Sequence, residues 1–276
     1  VIRGRTGLVA GCAILAAMAV IALFSAWVAP HDPYAQSLLR RLRPPAWIAR
    51  GSWEYPLGTD SFGRDVLSRL IWGTRIALAT GLGGAALGGL IGATMGLIAG
   101  YSGGRLDRAI SLVIATRLAL PSLLLALAVL QLAGGGLGIV ILVLGLTGWD
   151  RFAVVMRTAT ARTSRLDFVE GARAIGCSHA RILLRGILPN VAGPLIVVFT
   201  FETAQCILSA AVLSFLGLGI QAPEPSWGLM MAEGRNWLMV DPWLITLAGM
   251  ALMLLVLAVN LVGDGIRALL APGVRA

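Results

Sequence analysis

The chain has 276 residues, of which 58% are hydrophobic and 13% charged, and its mean hydropathy is +0.86. Soluble domains carry about 25% charged residues, so this composition excludes an ordinary soluble domain and predicts an all-α integral membrane protein. The net charge of +9 rests on arginine alone, because the chain has no lysine. A P-loop needs a lysine to reach nucleotide phosphates. The chain therefore cannot supply a standard one, and any ATP that drives it must be bound by a partner.

The first predicted span covers roughly 8–29. It is too long for a typical cleaved signal core, so it reads as a retained helix. A loop follows over about 30–75. Its Pro44-Pro45 and Pro56 exclude one long helix, and Trp47, Trp53 and Tyr55 suit an interface or a partner. Within it, Asp60 to Arg69 reads as a polar turn followed by an amphipathic helix, with Val66, Leu67 and Leu70 on the apolar side. Asp60 and Asp65 stand close enough to pair with Arg64 or Arg69, which would brace the ends of the spans. The predicted organisation is thus an N-terminal helix and loop over 1–75 and a five-helix core over 76–276.

The remaining spans are predicted at 76–101, 110–133, 137–156, 191–218 and 242–263, six in all. Arg117 and Pro121 interrupt the third, and Asp150 and Arg151 the fourth. These segments should be interfacial or packed in protein. In the second span Gly84, Gly88, Gly92, Gly96 and Gly100 recur every four residues on one helical face, the pattern of close helix packing in lipid. In the fifth, Glu202, Gln205 and Ser209 share a face. An acid there faces either a cavity, here a translocation path, or a neighbouring helix that it hydrogen-bonds.

Between the fourth and fifth spans, about 157–190, lies a polar, arginine-rich stretch that reads as a helix, a glycine turn and a second helix. Ser164, Asp167 and Glu170 have capping spacing, Gly176 can end the first helix in the left-handed conformation, and Pro189 is expected to close the second. A charged hairpin on one face of a membrane protein suggests a docking element. Six spans put both termini on the hairpin's side, which holds about fourteen arginines against eight opposite. That side is predicted to be cytoplasmic, although the first loop is itself arginine-rich.

Nothing in the chain suggests catalysis. It has no nucleophile elbow and no HExxH. Cys12, Cys177 and Cys206 form no disulfide framework, and His31 and His179 have no close Cys partner for a metal. The arginines flank spans, where lipid headgroups and partner acids account for them better than nucleic acid does.

Several strings carry a family resemblance. Glu170-Gly171-Ala172, then Gly176, then Leu188-Pro189 resembles the EAA loop of bacterial ABC-importer permeases, with Gly171 where an alanine is usual. Pro56 to Arg69, Ser214 to Gly219, Pro225 to Gly228 and Asn260 to Gly265 resemble one branch, the second permease subunit of dipeptide, oligopeptide and nickel importers. The resemblance implies a type I importer permease in the bacterial inner membrane that binds no cofactor itself. Its implied partners are a homologous second permease, two ATPase subunits that bind ATP and Mg, an extracytoplasmic binding protein, and lipid. Glu170, Gly171, Ala172, Arg173 and Gly176 would dock an ATPase. Peptide is the implied cargo, with nickel or another small polar solute as the alternative. From the residues alone, an ion-coupled secondary transporter stays open, with Glu202 as its thin support.

Overall fold

The computed structural model describes residues 2–270, which form helices connected by loops. In chain order these are α1 (Ile2–Leu23), α2 (Ser25–Val28), α3 (Val66–Ser102), α4 (Gly104–Leu118), α5 (Ser122–Ala133), α6 (Leu137–Thr147), α7 (Asp150–Thr163), α8 (Asp167–Ala174), α9 (His179–Arg181), α10 (Leu188–Phe215), α11 (Trp227–Arg235) and α12 (Trp243–Leu270). Among the described residues four stretches are long and apolar enough to cross a membrane: Thr6–Leu23, Val66–Ser102, His179–Phe215 and Trp243–Leu270. Two bent pairs, α4 with α5 and α6 with α7, bring the number to as many as six, when each pair is counted as one broken span.

The pairs are bent where the sequence places its interruptions. The helices α4 and α5 meet at 81°, so 110–133 is no straight span. Pro121 has no N–H to continue the first helix and stands as the N-cap of the second. The helices α6 and α7 are bent by 40° around Gly148 and Trp149. Both breaks leave carbonyls unpaired in an apolar setting. The buried Arg117 answers both, since its guanidinium donates to Leu120 O at 3.0 Å and to Thr147 O.

The second span begins ten residues earlier than expected. Asp65 caps it, accepting from Ser68 N at 3.0 Å and from Ser68 Oγ at 2.6 Å. From there α3 runs unbroken for 37 residues, a length of about 55 Å at ~1.5 Å per residue. That exceeds the ~30 Å hydrocarbon core, so α3 projects beyond it. The segment expected as a separate amphipathic helix is its first turn, because the Asp65 cap gives the backbone no reason to stop.

This long helix is the centre of the fold. Its glycine row lies against α6, α7 and α10. A Cβ on Gly84 would come within 2.9 Å of Cys206 Sγ, one on Gly88 within 3.2 Å of Gly145 O, and one on Gly96 within 2.5 Å of Ala153 O. Gly92 meets Trp149 O and Gly100 meets Arg157 O still more closely. Backbone thus packs on backbone along four turns. Three apolar clusters complete the interior. One joins α1, α3, α10, α11 and α12 around Trp227 and Leu255; one joins α3, α5, α6 and α10 around Leu130 and Val143; the third joins α7, α8 and α10 around Met156 and Val191.

Gly92→Leu is expected to force α3 away from α7 at a cost of about 1–3 kcal/mol, lowering the thermal midpoint of the purified assembly. Leu90→Ala, at a position 66% exposed on the opposite face, should leave the midpoint unchanged. Equal midpoints for the two variants would refute the packing role.

Candidate functional site

The hairpin is built from α7 onward. The helix α8 starts at Asp167, and its N-cap is Leu166, which makes no side-chain cap bond. Ser164 does not cap it as expected. It ends α7 instead, donating from its hydroxyl to Ala161 O at 3.1 Å. Asp167 and Glu170 occupy the first turn of α8, where negative charge suits the helix dipole. The C-terminus closes as a Schellman turn: Gly176 has φ +80°, Gly176 N donates to Arg173 O at 3.0 Å, and Cys177 N donates to Ala172 O at 3.0 Å.

Pro189 does not close the second helix. After α9 a π-helical segment, Ile182–Ile187, carries the chain directly into α10. Proline cannot donate to the carbonyl four residues back and its ring crowds that carbonyl. A wider turn relieves the crowding, and Asn190 Nδ2 donates to Gly186 O at 2.7 Å. The second helix of the hairpin is therefore continuous with α10.

Val169, Ile182, Ile187 and Val191 bury its inner face against Met156 of α7. Arg173 lies over the Tyr101 ring, 5.0 Å from its centroid, and Tyr101 Oη lies 2.7 Å from His179 Nδ1, which ties the hairpin to the end of α3. Glu170, Gly171, Arg173 and Gly176 are exposed. Ala172 is not on that outer face; it packs on the buried cluster, so its small side chain seats α8 on this chain. The outer face also carries apolar residues, with Ile175 81% exposed beside Phe168 and Leu184. Sequence reading missed these, although apolar residues within a charged hairpin were the available signal.

A polar cavity of about 220 Å³ opens between α5, α6, α7 and α10. Glu202, Gln205 and Ser209 all line it, joined by Thr147, Asp150 and Arg151. Glu202 is buried and its Oε1 accepts from Arg151 Nη1 at 2.9 Å. Arg151 also lies over the Phe201 ring at 5.2 Å. This pair is the partner that the sequence could not assign to Glu202. A second, largely apolar cavity of about 480 Å³, lined by Val154, Val197, Phe201 and Asn260, borders the same Arg151 and Glu202. The ion pair thus stands between two cavities, on the two helices that the hairpin joins.

At the opposite end a buried network fixes the first loop. Asp60 Oδ2 accepts from Arg64 Nε at 2.7 Å and from Arg69 Nη1 at 2.5 Å. Glu233 of α11 accepts from Arg64 Nη2 at 2.9 Å and from Arg69 Nη1 at 2.7 Å. Arg69 is fully buried. Trp227 Nε1 donates to Leu70 O at 3.0 Å, and only a glycine at 73 leaves room for its ring. Burial, and secondarily the charge of Asp60, pushes the Asp241 carboxyl above the usual carboxylate range. The network locks α11 onto the start of α3.

Residues 92–276 match the family described as binding-protein-dependent transport system inner membrane component, and residues 3–45 match the N-terminal TM domain of oligopeptide transport permease C. The chain is 38% identical to the di/tripeptide transport system permease protein DppC of Pseudomonas aeruginosa, over 98% of this chain and 89% of that one. It is 37% identical to the dipeptide transport system permease protein DppC of Haemophilus influenzae (99% and 92% covered) and 36% identical to the glutathione transport system permease protein GsiD of Pectobacterium atrosepticum (99% and 89%). In fold it is similar to a chain of the inward-facing MetNI methionine ABC transporter, with a TM-score of 0.61 at 18% identity over 74% of this chain and 97% of that one.

Removing one member of a buried, hydrogen-bonded charge network leaves the others unpaired, at a cost of about 3–5 kcal/mol. Glu233→Ala should therefore loosen the loop from α3 and increase proteolytic cleavage within residues 30–65. Unchanged cleavage and thermal stability would show that the network bears no load.

Proposed function

The chain belongs to the family of inner membrane components of binding-protein-dependent transport systems, and from that membership we propose that it is one of two homologous but different permeases of an ATP-driven peptide importer. Peptide cargo is supported by the names of the relatives, which are di/tripeptide, dipeptide and glutathione permeases. The chain carries no catalysis in this reading. Two partner ATPases bind ATP and Mg, and an extracytoplasmic binding protein delivers cargo. Both termini and the hairpin lie in the cytoplasm, and the loop over 30–65 lies outside.

The observation that carries the coupling is the continuity of the hairpin with α7 and α10, the helices that hold the Arg151–Glu202 pair. Glu170, Gly171, Arg173 and Gly176, with the apolar Ile175 and Phe168, present the surface that seats in an ATPase groove. Apolar residues supply the centre of such a contact and charged ones its rim. ATP binding closes the ATPases and draws the two permeases' hairpins together. The hairpin passes that displacement to α7 and α10, and the path switches from inward- to outward-facing. The switch requires a difference in free energy between two packed arrangements, which nucleotide binding biases. Glu202, Gln205 and Ser209 line the path in this reading, and the glycine row keeps α3 and α7 moving as one body.

Gly176→Val places a β-branched residue at positive φ, at a cost of about 1–2 kcal/mol. No neighbouring atom opposes the side chain, so backbone strain alone should displace the docking surface. ATP-dependent uptake is expected to fall at least about tenfold while the protein remains in the membrane. Normal uptake with normal ATPase co-purification would refute the docking role.

Orientation has its own test. Trp53 is 82% exposed, so a Trp53→Cys variant without the native cysteines should react with an impermeant thiol reagent added outside intact spheroplasts. Labelling only after lysis would invert the topology and separate the hairpin from any ATPase.

A further inference from the structure

The polar cavity contains a carboxylate that makes no ion pair among the described residues. Asp150 opens α7 and is only 5% exposed. Its Oδ1 accepts from Arg151 N at 3.0 Å, and among the described residues it has no other hydrogen bond and no ion pair. An unpaired carboxylate at membrane depth is costly. Neither of two arginines in this region pairs with it. Arg151 reaches across to Glu202, and Arg117 donates to the carbonyls of Leu120 and Thr147, makes no ion pair among the described residues and does not line the cavity. A helix N-terminus favours negative charge, which explains an aspartate facing water but not one aimed into a protein cavity.

Other polar side chains of the lining are also unengaged. Gln205 and Ser209 line the same cavity and make no side-chain hydrogen bond among the described residues. Glu202 gives one oxygen to Arg151 and leaves Oε2 free. Two carboxylates and one arginine therefore border a space of about 220 Å³, roughly seven times a water's ~30 Å³ share of the liquid. That space admits an ammonium group and the atoms next to it. An ammonium has three donors, and the carboxylate and hydroxyl oxygens of this lining are acceptors for them.

We propose that Asp150 is the cation-accepting residue of a cargo site in this cavity, which takes a primary ammonium group such as the free amino terminus of a peptide. Only the source of the ammonium rests on the peptide-importer reading. Gln205 supplies an amide that can pair with the adjoining peptide group. Of the charges that line the cavity, Arg151 offsets only one of the two carboxylates, and the excess negative charge favours cargo that carries a cation at one end.

The test uses the assembled importer with the native cysteines replaced and Ser209→Cys introduced. Cationic aminoethyl methanethiosulfonate is compared with a neutral methanethiosulfonate of similar length, each corrected for its rate with a free thiol. The cationic reagent should react about tenfold faster, and adding Asp150→Asn should abolish the preference while Asp150→Glu retains it. An unreactive thiol in the Ser209→Cys variant, no cation preference, a preference that survives Asp150→Asn, or one lost equally in Asp150→Glu would each overturn the proposal. In parallel, uptake of a dipeptide is compared with that of its N-acetyl form. The parent should favour the free amine at least about tenfold, and Asp150→Asn should erase the difference with ATPase co-purification intact; equal uptake of the two forms by the parent would overturn the proposal. If the parent imports neither form, the peptide reading fails, and the thiosulfonate comparison still decides the site.

Discussion

Backbone polar groups inside a membrane must find partners within the protein, and this chain interrupts its helices where that requirement is hardest to meet. Each interruption has its own solution. One arginine, Arg117, closes the breaks after α4 and α6 at once. At the end of α10, Gly217 with φ +80° allows Gly217 N and Leu218 N to return to Ser214 O and Leu213 O, and the Ser214 hydroxyl accepts from Ile220 N at 3.0 Å. Before α10 the π turn absorbs Pro189. The helices can therefore bend at membrane depth and leave polar side chains over for a cavity.

The breaks matter because α3 is unbroken. It is capped by Asp65 and carries glycines along the face that meets α6, α7 and α10. Close backbone approach gives extensive dispersion contact without long side chains whose rotamers would have to be ordered. At one end α3 is tied to α11 through Arg69, Glu233 and Trp227. At the other, Tyr101 meets Arg173 and His179 of the hairpin. One continuous helix that touches both the first loop and the hairpin is a physical route by which events at one end bias the other.

Charge is distributed in two ways. At the loop end Asp60, Arg64, Arg69 and Glu233 balance one another, two acids against two arginines, in a largely buried set, which fixes geometry once all members are present. In the cavity the set is open. Arg151 pairs with Glu202, and among the described residues Asp150 has only the Arg151 N–H as a partner and the Gln205 and Ser209 side chains make no hydrogen bond. The balanced set suits a brace and the open one suits a site.

Hydropathy and spacing by themselves determined the membrane class, the apolar stretches, the glycine face, the hairpin, and the face shared by Glu202, Gln205 and Ser209. These are properties of one segment at a time, and a period of 3.6 residues reports neighbours within a helix. The tertiary structure decided the rest. Arg151 and Glu202 are 51 residues apart, and Arg69 and Glu233 are 164 apart, so which cation meets which acid depends on how helices pack. The inward turn of Ala172, the passage of the chain through Pro189 into α10, and the early start of α3 were likewise hidden. In each, a local preference for a cap, a stop or an exposed face gave way to burial against another element or to a backbone group that needed a partner.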